Sequence, residues 1–296
     1  TKGKDKSSIH EDTDGDGKYD KHSVFIDDLN IATSFCQGRG GLWVVNPPAL
    51  LFYPDKNHDD KPDGDPEVHL LGFGLEDPHS VVNSMRWGPD GWLYGAQGST
   101  VSSKVIRPGL DKPEQAVFSQ GQHIWRYHPE THRYEIFSEG GGNAFGVDLD
   151  SQGRIFSGHN GGDTRGFHYM QGAYLQKGFN KHGPLTNPYA FGYFPAIPHP
   201  SVPRFTHCFA IYSGGAFPDK YNGKIFAVSP MLSHVVMSDV EVPGSIFKSK
   251  DIGYAITSKD SRFMPVDIKH GPDGALYVAD WCDAHRSHIQ FQEGYL

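Results

Sequence analysis

The chain of 296 residues carries 27 basic and 35 acidic side chains, a net charge of -8, with 36 Gly, 21 Pro and 13% aromatic residues. That balance disfavours nucleic acid, which is held by Lys and Arg on its phosphates. No apolar run reaches the ~18 residues of a membrane span, so a soluble chain is expected, and its composition suits many short strands and turns rather than long amphipathic helices.

Residues 1–8 are polar and basic without an apolar core, so no signal peptide is expected within them. Next comes Asp12-Thr-Asp14-Gly-Asp16-Gly17-Lys18-Tyr-Asp20. Carboxylates at alternate places, Gly at the sixth and a backbone carbonyl at the seventh (Lys18) are the pattern that wraps oxygen ligands around Ca2+. Ser23 stands at the twelfth place, where an EF-hand has Glu, so Asp20 at the ninth is the expected closing ligand. A solvated acidic turn is the plainer reading of the same residues. Residues 21–28 alternate into a strand and residues 50–53 form another. Asp55-Lys-Asn57-His-Asp59-Asp60-Lys61-Pro-Asp63 then repeats the ligand spacing, with Asn57 at the third place and Asp60 in place of the turn Gly. Each loop precedes a strand, which places the two at equivalent positions in successive units.

Further along, His79 stands just before the repeated strand of the stretch from Asn83 to Gln97, and residues 124–137 read as a hairpin across a Pro-Glu-Thr turn. Residues 175–200, rich in Gly, Pro, Tyr and Phe, read as a long functional loop or lid. One short phrase punctuates the whole chain: Gly, any residue, an aliphatic, an aromatic. It occurs as Gly40-Gly41-Leu42-Trp43, Gly91-Trp92-Leu93-Tyr94, Gly153-Arg154-Ile155-Phe156, Gly223-Lys224-Ile225-Phe226 and Gly274-Ala275-Leu276-Tyr277. Two copies follow Gly-Pro-Asp, a tight turn in which Pro presets φ and Gly supplies the positive φ. A strand unit recurring at such intervals marks a β-propeller of four-stranded blades. The expected fold is therefore an all-β, six-bladed β-propeller forming a single domain over residues 1–296. Its sixth copy would belong to a first blade that is incomplete in this sequence, and ring closure would bring residues 21–28 near residues 288–296.

Three passages resemble the soluble quinoprotein glucose/sorbosone dehydrogenase family. They are His79 ahead of Arg86-Trp-Gly-Pro-Asp-Gly, Asn143-Ala-Phe-Gly followed by His159-Asn-Gly-Gly-Asp163, and residues 209–218 with Gly223-Lys-Ile-Phe. The acidic loops, NSMRWGPDGWLYGAQG and PVDIKHGPDGALYVADW resemble more closely the membrane-bound dehydrogenase-like proteins of planctomycetes and their relatives, in which such a propeller is often joined to a haem domain. The resemblance implies an extracytoplasmic (periplasmic or cell-surface) Ca2+-dependent oxidoreductase acting on a sugar or polyol. Its electrons would pass to pyrroloquinoline quinone (PQQ) or a partner haem (cytochrome c-like) domain. It implies His79 as general base, Asn83, Arg86 and Asn143 around a central pocket, and the loop from His159 to Asp163 beside calcium and quinone. The family holds the quinone carboxylates with Arg-x-Arg and a Lys. Here Met264 and Val266 fill the Arg register, Arg262 is displaced by two places, and Ser229-Pro-Met offers no Lys. The rival reading is a non-catalytic, Ca2+-stabilised propeller that binds glycans or proteins.

The cysteines, Cys36, Cys208 and Cys282, lack Cys-x-x-Cys spacing and read as small buried residues. Trp43, Trp92, Trp125 and Trp281 read mostly as packing.

Overall fold

The computed structural model describes residues 3–159, 164–177, 194–198 and 208–283. Among the described residues every regular element is a strand, apart from the single 3-10 turns Pro113–Gln115 and Asp219–Tyr221. β1 (Asp5–Glu11) and β2 (Lys21–Leu29) pair with each other, and β3 (Ser34–Gln37), β4 (Gly41–Asn46), β5 (Ala49–Pro54) and β6 (Glu67–Leu71) form a four-stranded meander. In the next sheet β7 (Val82–Trp87) and β8 (Leu93–Gln97) are followed by an inserted hairpin, β9 (Ser102–Val105) and β10 (Val117–Gln120). The sheet resumes with β11 (His123–His128) and β12 (Arg133–Glu139), in the order β12-β11-β8-β7. Two more meanders follow: β13 (Asp148–Leu149), β14 (Ile155–Ser157), β15 (Thr164–Tyr169) and β16 (Ile197–Pro198), then β17 (Phe209–Ile211), β18 (Ile225–Ser229), β19 (His234–Glu241) and β20 (Lys248–Thr257). The pair β21 (Pro265–His270) and β22 (Leu276–Asp280) comes last.

The repeated phrase explains this order. In all five copies its Gly has a positive φ, 78° at Gly40, 81° at Gly91, 74° at Gly153, 78° at Gly223 and 79° at Gly274. Each copy leads into the second strand of its sheet: β4, β8, β14, β18 and β22. Only Gly populates that region freely, so the phrase marks where strand one turns into strand two. The two Gly-Pro-Asp-Gly turns are built alike. Gly91 N donates to Gly88 O and Gly274 N to Gly271 O. Tyr94 Oη donates to Asp90 Oδ2 (2.7 Å) and Tyr277 Oη to Asp273 Oδ2 (3.0 Å).

The chain divides into two compact units, Thr1–Val147 with Tyr169–Phe194 and Asp148–His168 with Pro195–Leu296. In the first, Ile26, Leu29, Val44 and Tyr53 form a core between the β1-β2 pair and the following sheet. A larger core of Trp43, Leu50, Leu70, Val82, Met85, Leu93, Trp125 and Tyr127 lies between that sheet and the next. Thr33 Oγ1 donates to Val82 O, Met85 N to Ser34 Oγ and Trp87 Nε1 to Gln37 O, stitching β3 to β7. In the second unit, Phe156, Phe209, Ile211 and Ile225 pack the β13–β16 sheet on the β17–β20 sheet. Cys208, Tyr212, Phe226, Val235 and Ile268 pack the latter on β21. Sequential antiparallel meanders, packed on one another through apolar layers within each unit, make the protein an all-β propeller. Six blades remain the expectation drawn from the repeat count. Most of the 175–200 loop, and all of residues 288–296, lie outside the described residues.

The three cysteines form no disulfide, and of these Cys208 is buried as expected whereas Cys282 is exposed. Trp43 and Trp125 are buried, but Trp281, directly after the last described strand, is 68% exposed.

Candidate functional site

The segment Asp77-Pro-His79-Ser80 turns before β7. Ser80 N donates to Asp77 O (3.0 Å), and the Asp77 carboxylate closes an Asx-type turn by accepting from His79 N (2.9 Å). Asp77 Oδ1 also lies 3.1 Å from His79 Nδ1, and Thr100 Oγ1 donates to Oδ2. Burial pushes the Asp77 carboxyl up, yet the bonds from Thr100 and from the His79 amide and ring outweigh it and hold the group below its ordinary value. Asp77 thus stays a carboxylate. The His79 side chain, held at Nδ1 by Asp77, is 46% exposed.

Behind it lies a buried polar layer. Asn143 Oδ1 accepts from Ser80 Oγ (3.1 Å) and Ser99 N (2.8 Å), and its Nδ2 donates to His79 O (3.4 Å). Gly98 permits this approach, since a Cβ there would lie 2.3 Å from Asn143 Oδ1. Asn143 therefore holds the backbone of His79. Asn83 is buried, with Nδ2 donating to Val81 O (2.9 Å) and Ala144 O (3.1 Å). Its Oδ1 is buried without a hydrogen-bond partner, an acceptor awaiting a donor. Arg86 is half-buried on β7, beyond an irregularity in the β7–β8 register between Asn83 and Arg86. Ser84 within that irregularity has a φ of 55°.

Two further buried groups of the same unit carry no signal in the sequence. Lys177 is 3% exposed; its Nζ donates to Gln120 O (2.8 Å), and burial lowers its pKa against the opposing charge of Glu139. His123, wholly buried, has its pKa lowered to about 4 by burial and no partner at Nε2. An Asp two residues ahead of a candidate base was visible in the sequence; Lys177 and His123 had no spacing to give them away.

In the second unit His159 is half-buried, its Nδ1 unpartnered and its pKa lowered to about 4 by burial, so it is neutral near pH 7. Asp163 lies outside the described residues. Arg165 makes a buried fork with Asp251 (Nε–Oδ1 3.0 Å, Nη2–Oδ2 2.6 Å), anchoring β15 to β20.

The acidic loops are the connections β1–β2 and β5–β6, equivalent places in their sheets as expected. Carboxylate oxygens of Asp12, Asp14 and Asp16 lie within 4.8 Å of one another, a donor set of hard oxygens that fits Ca2+. The quinone fits less well. Met264 is buried, and Arg262 is exposed and forked onto Asp260 (Nη2–Oδ2 2.9 Å). Neither presents the paired guanidinium groups that a tri-carboxylate needs.

Residues 1–293 match the model of a family described as Domain of unknown function (DUF7133), and the chain belongs to that family. No curated protein matches it by sequence. Among solved structures it is similar to the PQQ-bound aldose sugar dehydrogenase of Streptomyces coelicolor, with 14% identity and a TM-score of 0.49 over 86% of this chain and 71% of that one. It is also similar to the apo form of the soluble aldose sugar dehydrogenase of Escherichia coli, with 12% identity and a TM-score of 0.43 over 86% and 95%. A luciferin-regenerating enzyme is equally similar, with 10% identity and a TM-score of 0.49 over 92% and 76%. Likenesses of this degree, to proteins of different activity, decide nothing about the reaction.

Proposed function

We propose that this DUF7133 propeller oxidises a hydroxyl of a sugar or polyol, with His79 as general base and Asn83, Arg86 and Asn143 around the substrate. One observation carries the reading: a half-exposed imidazole is tied through Nδ1 to the Asp77 carboxylate. That bond places the imidazole proton on Nδ1 and the basic lone pair on Nε2, the form that takes a proton from a hydroxyl near neutral pH. His79 would take the hydroxyl proton, and the hydride on the carbinol carbon would need a two-electron acceptor such as a quinone, which a partner haem domain could reoxidise one electron at a time. The unpartnered Asn83 Oδ1 suits a second substrate hydroxyl as donor. The two acidic loops, through Asp12, Asp14, Asp16, Lys18 and Asp20 and through Asp55, Asn57, Asp59, Lys61 and Asp63, hold structural Ca2+. Low-affinity loops of this kind work outside the cytoplasm, where Ca2+ is abundant.

A second reading, a glycan- or protein-binding propeller without turnover, is favoured by the apolar Met264 and by Arg262 being committed to Asp260. Dye-linked oxidation of a panel of aldoses and polyols, in Ca2+ with and without added PQQ, separates the two. The first reading expects turnover that falls by about 10²–10⁴-fold in His79→Ala while the melting temperature is unchanged. A wild-type protein inactive on the whole panel but retaining glycan binding would establish the second.

A further inference from the structure

Three donor atoms from two successive sheets converge where β6, an edge strand of the first four-stranded sheet, meets the β11–β12 hairpin of the next. Tyr127 Oη, on β11, lies 2.9 Å from Nδ1 of His69 on β6 and 3.0 Å from Nδ1 of His132 in the β11–β12 turn. The two imidazole rings flank the oxygen, nearly parallel (17°), with centroids 5.9 Å apart. Nitrogens of rings so placed, each bonded straight at the one oxygen, lie roughly 4 Å from each other. Tyr127 is buried, the His69 side chain is 11% exposed and His132 is exposed, so the group opens to solvent on the His132 side.

The donors are held from behind. Glu67 Oε2 lies 3.2 Å from His69 Nε2. A carboxylate only accepts, so Nε2 carries the proton and Nδ1 presents its lone pair to the Tyr127 hydroxyl. This is the carboxylate–imidazole arrangement that orients metal-ligating histidines. Trp43 and Phe52 pack against the His69 ring at 4.6 and 6.0 Å between centroids, which fixes its plane. Arg107 Nη1 donates to His132 O (3.0 Å) and steadies the turn, its charge balanced by Asp111. The spacing is that of a coordination sphere. Ligands about 2.1 Å from an ion are about 3.0 Å apart on adjacent corners of a square plane and about 4.2 Å apart on opposite corners. Two imidazoles with a phenol oxygen between them therefore fill three corners and leave the fourth for water. A tetragonal set of two nitrogens and an oxygen selects Cu2+, which also stands highest in the affinity order of the divalent first-row ions.

We propose that His69 Nδ1, His132 Nδ1 and Tyr127 Oη bind one Cu2+ ion, with Glu67 orienting His69. The ion takes the place of the Tyr127 hydroxyl proton, which leaves to solvent, and the His132 proton moves from Nδ1 to Nε2. Burial keeps that hydroxyl protonated in the metal-free protein, against the opposing charge of Arg107. The site shares no residue with the acidic loops or the His79 turn and does not depend on the reaction proposed there.

Titration of the whole protein with CuSO4, in excess Ca2+ so that the acidic loops are filled, tests it by visible absorption and electron paramagnetic resonance. One equivalent is expected to bind, with a phenolate-to-copper charge-transfer band and the splitting of two imidazole nitrogens. Tyr127→Phe, which keeps the packed ring, should lose the band and weaken binding at least about tenfold. His132→Asn, at a turn position of φ 52° that Asn tolerates, should weaken binding by about 10–100-fold. Its side chain is exposed, so this variant carries the test if Tyr127→Phe lowers the metal-free melting temperature. Exposed His10 and His22, whose rings lie 6.1 Å apart across β1 and β2, are a rival chelate, and replacing both by Ala should change nothing. Five outcomes would overturn the proposal: no copper bound, copper bound without the band, a band that survives Tyr127→Phe, binding lost in the His10/His22 double variant but kept in His132→Asn, or Zn2+ displacing copper at equal concentration.

Discussion

The two acidic loops follow one backbone course with different residues. In each, the residue after the first Asp donates its amide to the ninth-place carboxylate: Thr13 N to Asp20 Oδ1 (2.9 Å) and Lys56 N to Asp63 Oδ2 (2.7 Å). In each, the ninth-place amide returns to the preceding strand, Asp20 N to Glu11 O and Asp63 N to Pro54 O. The fourth and sixth places have positive φ in both: Gly15 at 77° and Gly17 at 85° in the first, His58 at 55° and Asp60 at 63° in the second. The ring of carboxylate-to-amide bonds therefore sets the course, and glycine only makes it less costly. A non-glycine residue in that region costs about 1–2 kcal/mol. The second loop tolerates the cost because it is better anchored. Asp55 is 7% exposed, and its amide donates to Gly40 O (2.8 Å) in the first repeated turn.

Calcium gives the largest expected effect and the first way to break this comparison. Ca2+ at a hundred times its dissociation constant adds about 2.7 kcal/mol per site, or roughly 5–10 °C in melting temperature for a chain of this size. EDTA should remove that gain and Ca2+ restore it. Four ligand-place carboxylates in the first loop against three in the second predict tighter binding at the first. Asp16→Ala should therefore shift the Ca2+ titration at lower concentration than Asp59→Ala does. A melting curve indifferent to EDTA would remove both sites, and equal effects of the two variants would show that charge count does not rank them.

Backbone strain gives a smaller effect and sharpens the comparison. A Cβ on Gly17 would meet nothing within 4 Å, so Gly17→Ala isolates the conformational term and should destabilise by about 1 kcal/mol. His58→Gly relieves the same strain but frees the unfolded chain, so the two nearly cancel, to within about 0.5 kcal/mol. Denaturant melts in EDTA check both. A neutral Gly17→Ala would mean that the φ values do not distinguish the loops.

What could be read in the sequence was local, and what could not was assembled over distance. The repeated Gly at residues 40, 91, 153, 223 and 274 announces its own turn, so the start of each second strand was legible, as was the equivalence of the loops. The β9–β10 insertion has no repeat to betray it. Asn143, which the resemblance puts beside a cofactor, bonds Ser80 and Ser99, which lie 63 and 44 residues away in the chain. No spacing rule reaches that far. Asp77 is the intermediate case: two residues from His79 in sequence, yet held in place by Thr100 from another loop.

Acid should produce the smallest effect, and it tests whether the carboxylate ring holds the first loop's course. The Thr13 hydroxyl donates to Asp20 Oδ2 (2.6 Å) and its amide to Oδ1, and these bonds, hydroxyl first, hold the Asp20 carboxyl below the ordinary 3.8. Asp12 is lowered likewise, first by the Gly17 amide, which burial opposes and the Gly15 amide reinforces. A carboxyl whose pKa is depressed on folding contributes stability above its unfolded pKa, and loses it as pH falls through the folded value. The loop's own contribution should thus be constant from neutral pH to about pH 5 and be lost below about pH 4, on a background that already declines below about pH 6.5 because the buried neutral His123 and His159 resist protonation. Thr13→Val removes the hydroxyl donor and keeps the amide, so it should melt slightly below wild type at pH 6, the gap closing as Asp20 protonates. A gap constant down to pH 2.5 would mean that the hydroxyl acts through packing, and the course of the loop would then need a cause other than its carboxylates.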